Sequence, residues 1–198
     1  MGYTHHWSRA PELPEASFAA AVADCRKLCE ALPIPLGDWE GKGEPEFTPE
    51  GIAFNGHVES GSFARQGGLL WPSRKAESVA VAGTTVETGK TWCAGPEVSS
   101  RCVDENGDGS YESFVVERVF QPEEWQKPQG GKFRTFCKTN YRPYDLCVQC
   151  CLIILKEHLA DSIQVRSDGK DAAWNEARDA CQVFLGYGLD FALDDKSA

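Results

Sequence analysis

The sequence predicts an α+β fold in which about three helices pack on one face of a mainly antiparallel sheet. The chain has 198 residues, of which 41% are hydrophobic and 25% charged, and this is the composition of a globular domain with an ordinary core. Two long segments have helical periodicity, and several short alternating segments bounded by Gly and Pro are typical of strands. We therefore expect a single domain over 1–198, with an irregular insertion at about 60–110 and a frayed acidic tail from about 189.

Alternation of apolar and polar residues, with turn signals between the segments, predicts the strands in order. They are residues 2–8, 51–56, 78–82, 113–120, 132–138 and 163–166. In the first strand, His5 and His6 point to opposite faces, because side chains alternate along a strand. The second strand runs into Asn55-Gly56, a dipeptide typical of hairpin turns.

Three helices are predicted between and after these strands. Residues 15–32 place apolar side chains three and four apart on one face, and Pro33 ends the pattern. The second helix begins at Pro143, which is favourable at a first helical position, and extends to about Leu159. Its segment 146–155 is apolar nearly all round, so we expect it to be covered on every side. A last helix is predicted over 171–185.

Charge and hydropathy exclude several classes of protein. The net charge of −10 and the pI of about 4.9 argue against a nucleic-acid binder, which needs a basic surface. No run of 18 apolar residues is present, so no membrane span is expected, and the first residues lack the pattern of a signal peptide. We therefore expect a cytoplasmic protein. The sequence does not specify an oligomeric state.

Nine cysteines are many for a cytoplasmic protein, but the number is odd and most lie within helical patterns. Their spacing is not that of a zinc finger. We interpret most of them as buried free thiols that act as small hydrophobic residues. Cys93 and Cys102 are the exception, because they flank a Gly/Pro/Ser loop and would be able to form a disulfide in an oxidising medium.

The segment 138–145 is the first candidate site, because it joins a strand to the start of the buried helix. A helix N-terminus offers unpaired N–H groups and partial positive charge, which favour an anion. Lys138 and Arg142 add full charges, and Thr139 adds a hydroxyl group. In an acidic chain this cluster predicts a phosphate or carboxylate ligand. The alternative is a capped helix start in which Asp145 is the capping carboxylate.

Two further segments offer hydrogen-bonding or basic groups. One histidine of the first strand, His5 or His6, is a candidate general base or donor, and a core histidine bonded to the backbone is the alternative. Asp168, after the last strand, is placed to bind a hydroxyl group, although a turn and helix cap explains it equally.

Residues 104–112 resemble part of a calcium-binding loop. The acidic and amide residues fall at the first, third and fifth ligand positions of that loop, but Val115 stands where the bidentate glutamate belongs. The segment is therefore not an EF-hand. A looser calcium site remains the one cofactor hypothesis, and a polar turn is the alternative. The metal-ligand candidates are Asp104, Asn106, Asp108 and Glu112.

Several segments together resemble an uncharacterised family of small bacterial and phage proteins. The resemblance rests on the start MGYTHHW, on IAFNG at 52–56, on FCKT at 136–139 followed by PYD at 143–145, and on VRSDG at 165–169. Members of the family usually begin MGYTHYW, so His6 stands here in place of tyrosine. The resemblance covers most of the chain except about 60–105. It implies no particular reaction.

The leading functional hypothesis is a protein that binds a small anionic, nucleotide-like molecule in a cationic pocket at a helix N-terminus. Sequestration of a host signalling nucleotide by a phage-borne protein is one version. No nucleic-acid or membrane partner is expected. The predicted ligand-binding residues are Trp7, Asn55, Lys138, Thr139, Arg142, Tyr144 and Asp168.

Two other hypotheses stay open. One is an enzyme that acts on a nucleotide or another phosphorylated or carboxylated molecule, with His5 or Glu112 as the catalytic acid–base group. The other is a virion-associated or structural protein stabilised by disulfides or calcium.

Overall fold

The computed structural model describes residues 3–60, 78–81, 84–87, 101 and 103–194. It confirms the predicted α+β class. The helices are α1 Glu15–Ala31, α2 Asp145–Leu159 and α3 Asn175–Leu185, with 3-10 turns at Ala160–Ser162 and Asp171–Trp174. The strands are β1 Thr4–Arg9, β2 Leu36–Gly37, β3 Glu46–Phe47, β4 Gly51–Gly56, β5 Ser78–Val81, β6 Thr84–Glu87, β7 Phe114–Glu117, β8 Phe133–Lys138 and β9 Ile163–Ser167.

The strands form three antiparallel groups instead of one sheet. The first group has the order β8-β1-β9, so the N-terminal strand lies in the middle. In the second, β4 pairs with β2, β3 and β7. The third is the pair β5–β6, which lies within the predicted insertion. In the described part of the chain, β8 and β7 are therefore edge strands that each have a pairing partner on one side only.

The helices cover one face of the β8-β1-β9 sheet, as predicted. α2 packs against α1, α3 and β9, and every residue from Asp145 to Leu155 is buried. A helix that is apolar nearly all round is stable only when neighbours cover it on every side, and α2 meets this condition. Burial also alternates along β1. His5, Trp7 and Arg9 are buried, whereas Thr4, His6 and Ser8 are partly exposed.

The described cysteines belong to the core. They are buried free thiols, as the sequence predicts: Cys25, Cys29, Cys137, Cys147, Cys150, Cys151 and Cys181. Most lie between the helices, where the Sγ atoms of Cys29 and Cys151 are 3.8 Å apart. The predicted Cys93–Cys102 disulfide falls outside the described residues, as does most of the insertion.

The prediction of a hairpin turn at Asn55-Gly56 is wrong. Both residues lie inside β4, where they pair with β2. The Asn55 side chain bonds to the backbone of Tyr111. Its Nδ2–H donates to Tyr111 O at 3.0 Å, and its Oδ1 accepts from Tyr111 N at 3.0 Å. Gly56 is required by a close approach, since a methyl group there would collide with the Gly109 carbonyl and come within 2.7 Å of the Tyr144 ring.

Other predicted boundaries also change. The segment 36–50, in which no helix or strand is predicted, contains β2 and β3. Pro143 precedes α2 by two residues, and the predicted last helix begins with a 3-10 turn before α3. These short elements depend on pairing and packing with distant segments, which a local pattern does not contain.

The acidic tail is not frayed as far as Asp194. Phe191 is buried and lies 5.1 Å from the Trp174 ring. The carboxylate of Asp194 accepts from Lys156 Nζ at 3.0 Å and from the Val165 backbone N–H at 2.7 Å. The tail therefore docks on α2 and β9. Within the described residues, no helix has the length and apolar character needed to cross a membrane.

Candidate functional site

A buried polar cluster lies where β1 meets the start of α2. His5 has 0% exposed surface, and its Nε2 lies 2.7 Å from Asp145 Oδ1. On the other side of the ring, Nδ1 lies 3.0 Å from Ser167 Oγ at the end of β9. The Thr139 hydroxyl also donates to Asp145. The sheet and α2 are therefore joined by buried hydrogen bonds.

Arg101 completes this cluster from a distant part of the chain. Its Nε–H donates to Asp145 Oδ2 at 2.9 Å, and its Nη2–H donates to Gln149 Oε1 at 2.8 Å. Its Nη1–H donates to Glu176, the second residue of α3. One guanidinium thus compensates two buried carboxylates, which would be costly to bury unpaired. Sequence analysis missed Arg101 and Glu176 because neither lies in a recognisable motif.

The electrostatics agree with this pairing. Burial by itself raises the pKa of Asp145, but the neighbouring His5 and Arg101 outweigh it and lower the pKa from 3.8 to about 2. Burial lowers the pKa of Arg101, whereas the two carboxylates raise it above its ordinary value. Asp145 and Arg101 are therefore charged at neutral pH.

The N-terminus of α2 is consequently not the open anion pocket that the sequence predicts. Asp145, the first residue of α2, places a buried carboxylate beside it that bonds to the side chains of His5, Thr139 and Arg101. Among the described residues this carboxylate accepts no helix N–H, so the predicted capping role of Asp145 is not confirmed. Thr139 is buried and bonds to that carboxylate. The Tyr144 hydroxyl donates to Glu112 O at 2.6 Å, and Arg142 Nη2 lies 3.5 Å from Asp104 Oδ2. The negative charge of Asp145 lies in the first turn of the helix, where it repels a second anion.

Ser167, His5 and Asp145 form a chain of the residue types found in hydrolases, but the arrangement is different. In a catalytic triad the nucleophile bonds to Nε2 and the carboxylate to Nδ1, whereas here the two contacts are exchanged. Ser167 Oγ also accepts the Gly169 N–H at 3.0 Å. Because His5 has no exposed surface, it does not reach a substrate. This cluster is structural, and the geometry does not support His5 as a general base.

The predicted calcium residues form a turn. Asp104 Oδ1 accepts the backbone N–H groups of Asn106 at 2.8 Å and Asp108 at 2.9 Å. The carboxylate of Asp108 accepts from the Ser110 N–H and hydroxyl group, each at 2.7 Å. Among the described residues, no three His, Cys, Asp or Glu side chains are placed to hold a metal ion. The polar-turn interpretation therefore describes this segment better than the calcium site.

Glu112 belongs to a second group of predicted residues, at one end of β8. Its Oε2 accepts the Lys138 N–H at 2.8 Å, and its own N–H donates to Lys138 O at 3.2 Å. Asn55 reaches the same segment through Tyr111. The Lys138 ammonium lies 5.4 Å from the centre of the Tyr111 ring. These bonds hold Glu112 in a fixed position, where it fastens the edge of β8.

The open face of the β8-β1-β9 sheet carries a third group. Pairing aligns side chains across the strands in three rows, and these residues point away from the helices. One row contains Phe136, His6 and Arg166. The others contain Lys138, Thr4 and Asp168, and Arg134, Ser8 and Gln164.

Phe136 and His6 form an aromatic surface at the centre of this face. Phe136 is 60% exposed, and its ring centre lies 6.1 Å from that of His6. His6 Nε2 is 3.8 Å from Asp168 Oδ1. Partial burial lowers the pKa of His6, helped by the nearby charge of Arg134 and opposed by Asp168. The His6 ring is therefore mainly neutral at pH 7.

A groove of about 480 Å³ borders this face between β7 and β8. Its volume is within the range of small-molecule clefts, roughly 300–1,000 Å³. Trp7, which was predicted as a ligand wall, is buried and contributes to the lining, and its indole N–H has no partner among the described residues. Trp125 is 76% exposed at the rim.

The predicted site residues do not converge on one pocket. Thr139, Arg142 and Tyr144 surround the closed helix start, together with His5. Asn55, Glu112 and Lys138 meet at one end of β8, where the Tyr144 hydroxyl also donates to Glu112 O. Asp168 lies on the open face in the same row as Lys138, and Trp7 lies at the groove. No protein-family model, curated protein or solved structure matches this chain. The family resemblance therefore stays a prediction, and the functional argument rests on the geometry.

Proposed function

We propose that this protein binds a small anionic, nucleotide-like molecule, and that the binding surface is the open face of the β8-β1-β9 sheet. The observation that carries the proposal is a cationic and aromatic surface on a chain whose net charge is −10. This site replaces the one predicted at the start of α2, where Asp145 already supplies the negative charge.

The charge of the face favours an anion. Among the described residues of the three rows, Arg134, Arg166 and Lys138 are cations and Asp168 is the carboxylate. Arginine binds phosphate and carboxylate groups through two parallel hydrogen bonds, which adds geometric selectivity to the attraction. The surrounding acidic surface repels anions, so the cationic face is the favourable place for one.

The two rings at the centre supply a second kind of contact. Phe136 is exposed and His6 lies beside it, so a planar base would cover apolar surface there. Stacking of a base on an aromatic side chain contributes roughly 1–3 kcal/mol. The combination of rings and guanidinium groups favours a phosphorylated aromatic molecule over a simple inorganic anion.

Isothermal titration of nucleoside monophosphates, followed by cyclic dinucleotides, tests the proposal. At least one should bind with a Kd below about 1 mM, and Arg134→Gln should weaken binding about tenfold, which corresponds to about 1.4 kcal/mol. His6→Ala should weaken it as well. The matched controls are Lys27→Gln and Trp39→Ala, which remove an exposed cation and an exposed ring elsewhere.

Loss of binding in the two face variants, with both controls unchanged, would support the proposal. No heat change for any nucleotide, or equal losses in the controls, would overturn it. The enzymatic hypothesis has no specific observation in its favour. His5 has no exposed surface, and the Glu112 carboxylate accepts the Lys138 backbone N–H.

A further inference from the structure

We infer that the groove between β7 and β8 binds a second kind of partner: an extended acidic peptide segment that pairs with the free edge of β8. This inference concerns the groove, which shares Arg134 and Phe136 with the sheet face, but it does not require the nucleotide-like ligand proposed there. Three observations carry it, namely the direction of the free backbone groups, the apolar lining of the groove and its charge.

The edge of β8 that faces away from β1 has unpaired backbone groups. The Thr139 N–H bonds to Tyr3 O in the β1 register, whereas both backbone groups of Lys138 bond to Glu112 on the other side. Backbone groups alternate in direction along a strand, so those of Arg134 and Phe136 point to the same side as those of Lys138. In the part of the chain that the structure describes, no partner bonds to them.

The facing edge of β7 is also turned toward the groove. The Arg118 N–H bonds to Glu50 O in the β4 register, so the backbone groups of Val115 and Glu117 point away from β4. Arg9 confirms the direction, because its guanidinium donates to the Glu117 carbonyl. The two edges meet at the Glu112–Lys138 bonds and enclose the groove beyond them. Because Arg9 already occupies the Glu117 carbonyl, an added strand would pair mainly with β8 and, on the β7 side, with the backbone groups of Val115.

Apolar side chains line the space where a strand would place its own. Trp7 and Phe133 are buried there, and Phe120 lies 5.0 Å from Phe133. Val115 and Trp125 extend the apolar surface to solvent, being 43% and 76% exposed. Exposed apolar surface beside an unprotected strand edge is unusual in a monomeric protein, and both features are typical of strand-addition sites.

The charges of the lining select the occupant. Among the described residues of the lining, Lys127 and Arg134 are exposed cations, and Glu117 is the one carboxylate. A peptide in which apolar and acidic residues alternate would direct one set into the groove and the other toward these cations. A second copy of this chain fits less well, because antiparallel pairing of two β8 edges would bring the two Arg134 side chains close together.

Fluorescence anisotropy with a labelled peptide of about seven residues, alternating valine and glutamate, tests the inference on the full chain. We expect a Kd below about 100 µM, with at least tenfold weaker binding for a valine–lysine peptide of equal length. A valine–glutamate peptide with methylated backbone nitrogens should not bind, because it cannot donate to the strand edge.

Variants of the protein separate strand pairing from charge. Arg134→Pro removes both an outward N–H and the guanidinium, whereas Arg134→Gln removes only the guanidinium. We expect Arg134→Pro to abolish binding and Arg134→Gln to weaken it a fewfold. Trp125→Ser, at an exposed position, should also weaken it, and Trp39→Ser is the matched control. Circular dichroism of each variant confirms that the loss is not caused by unfolding.

Binding that survives backbone methylation, or that is equal for the lysine peptide, would overturn the inference. So would absence of binding up to about 1 mM, or concentration-dependent dimerisation that Arg134→Pro abolishes, because a second copy would then be the occupant. His6→Ala weakens nucleotide binding under the first proposal but leaves peptide binding unchanged, so the two proposals can fail separately.

Discussion

Nε2 of His5 lies 2.7 Å from Oδ1 of Asp145, although the two residues are 140 positions apart in the chain. This contact fastens the central strand of the first sheet to the first residue of the most buried helix. Arg101 donates to the same carboxylate. The Asp145 side chain on α2 therefore bonds both to β1 and to Arg101, which lies in the predicted insertion. The cluster therefore holds the open face and the edge of β8 in position.

Removal of the Asp145 charge should destabilise the fold strongly. Asp145→Asn removes the buried carboxylate that accepts from Arg101 and contacts His5, and breaking such a buried pair costs about 3–5 kcal/mol. Urea unfolding followed by circular dichroism measures the difference. The matched control is Asp168→Asn, whose 3.8 Å contact with His6 is partly exposed and should contribute at most about 1 kcal/mol. Equal effects of the two substitutions would contradict this account.

The contribution of Asp145 should also depend on pH. Its pKa is about 2 in the folded chain and 3.8 in the reference state, so the stabilisation is complete above about pH 5. It is lost as the pH falls through 3.8 toward 2, and amounts to roughly 2 kcal/mol. The difference in unfolding free energy between the wild type and Asp145→Asn, measured from pH 6 to 2.5, should decrease accordingly. A constant difference would show that the charge is not the cause.

Gly56 should not tolerate a side chain. Gly56→Ala would force a methyl group against the Gly109 carbonyl and the Tyr144 ring, and we expect a loss above about 2 kcal/mol because neither neighbour is free to move. Gly51→Ala in the same strand is the control, since its methyl group would meet the nearest atom at 3.4 Å. Thermal unfolding of the two variants provides the comparison. A similar melting temperature for both would exclude the close approach.

Local patterns predicted the elements whose contacts are local. Residues 146–155 are apolar nearly all round, and they belong to the buried part of α2. Alternation correctly assigned His5 and His6 to opposite faces of β1. In each case the periodicity of a single segment already specifies which side chains face the core.

Long-range partners could not be predicted in this way. Arg101 lies in an irregular segment, and nothing near it in the sequence indicates Asp145, Gln149 or Glu176. The Asn55-Gly56 pair has the composition of a turn, but its role is decided by Tyr111 and Gly109. The free edge of β8 likewise could not be predicted from the sequence, because it depends on which strands pair and not on residue type.

The buried thiols should be slow to react in the folded protein. Burial raises the pKa of Cys25, Cys137 and Cys147, and neutral thiols are poor nucleophiles. With a disulfide reagent that forms a coloured product, the seven described cysteines should react only after denaturation. Native reaction is therefore expected from at most two thiols, Cys93 and Cys102. Rapid native reaction of three or more would contradict the burial of this cluster.

The location of the anion site is tested most directly by NMR of the isotope-labelled protein during titration with a nucleoside monophosphate. Backbone amide shifts should change at outward positions of the sheet, including His6, Phe136 and Arg166, and they should saturate together. Amides of Asp145 and Leu146 at the start of α2 should remain unchanged. Shifts confined to that helix start, or absent throughout the titration, would contradict a binding surface on the sheet face.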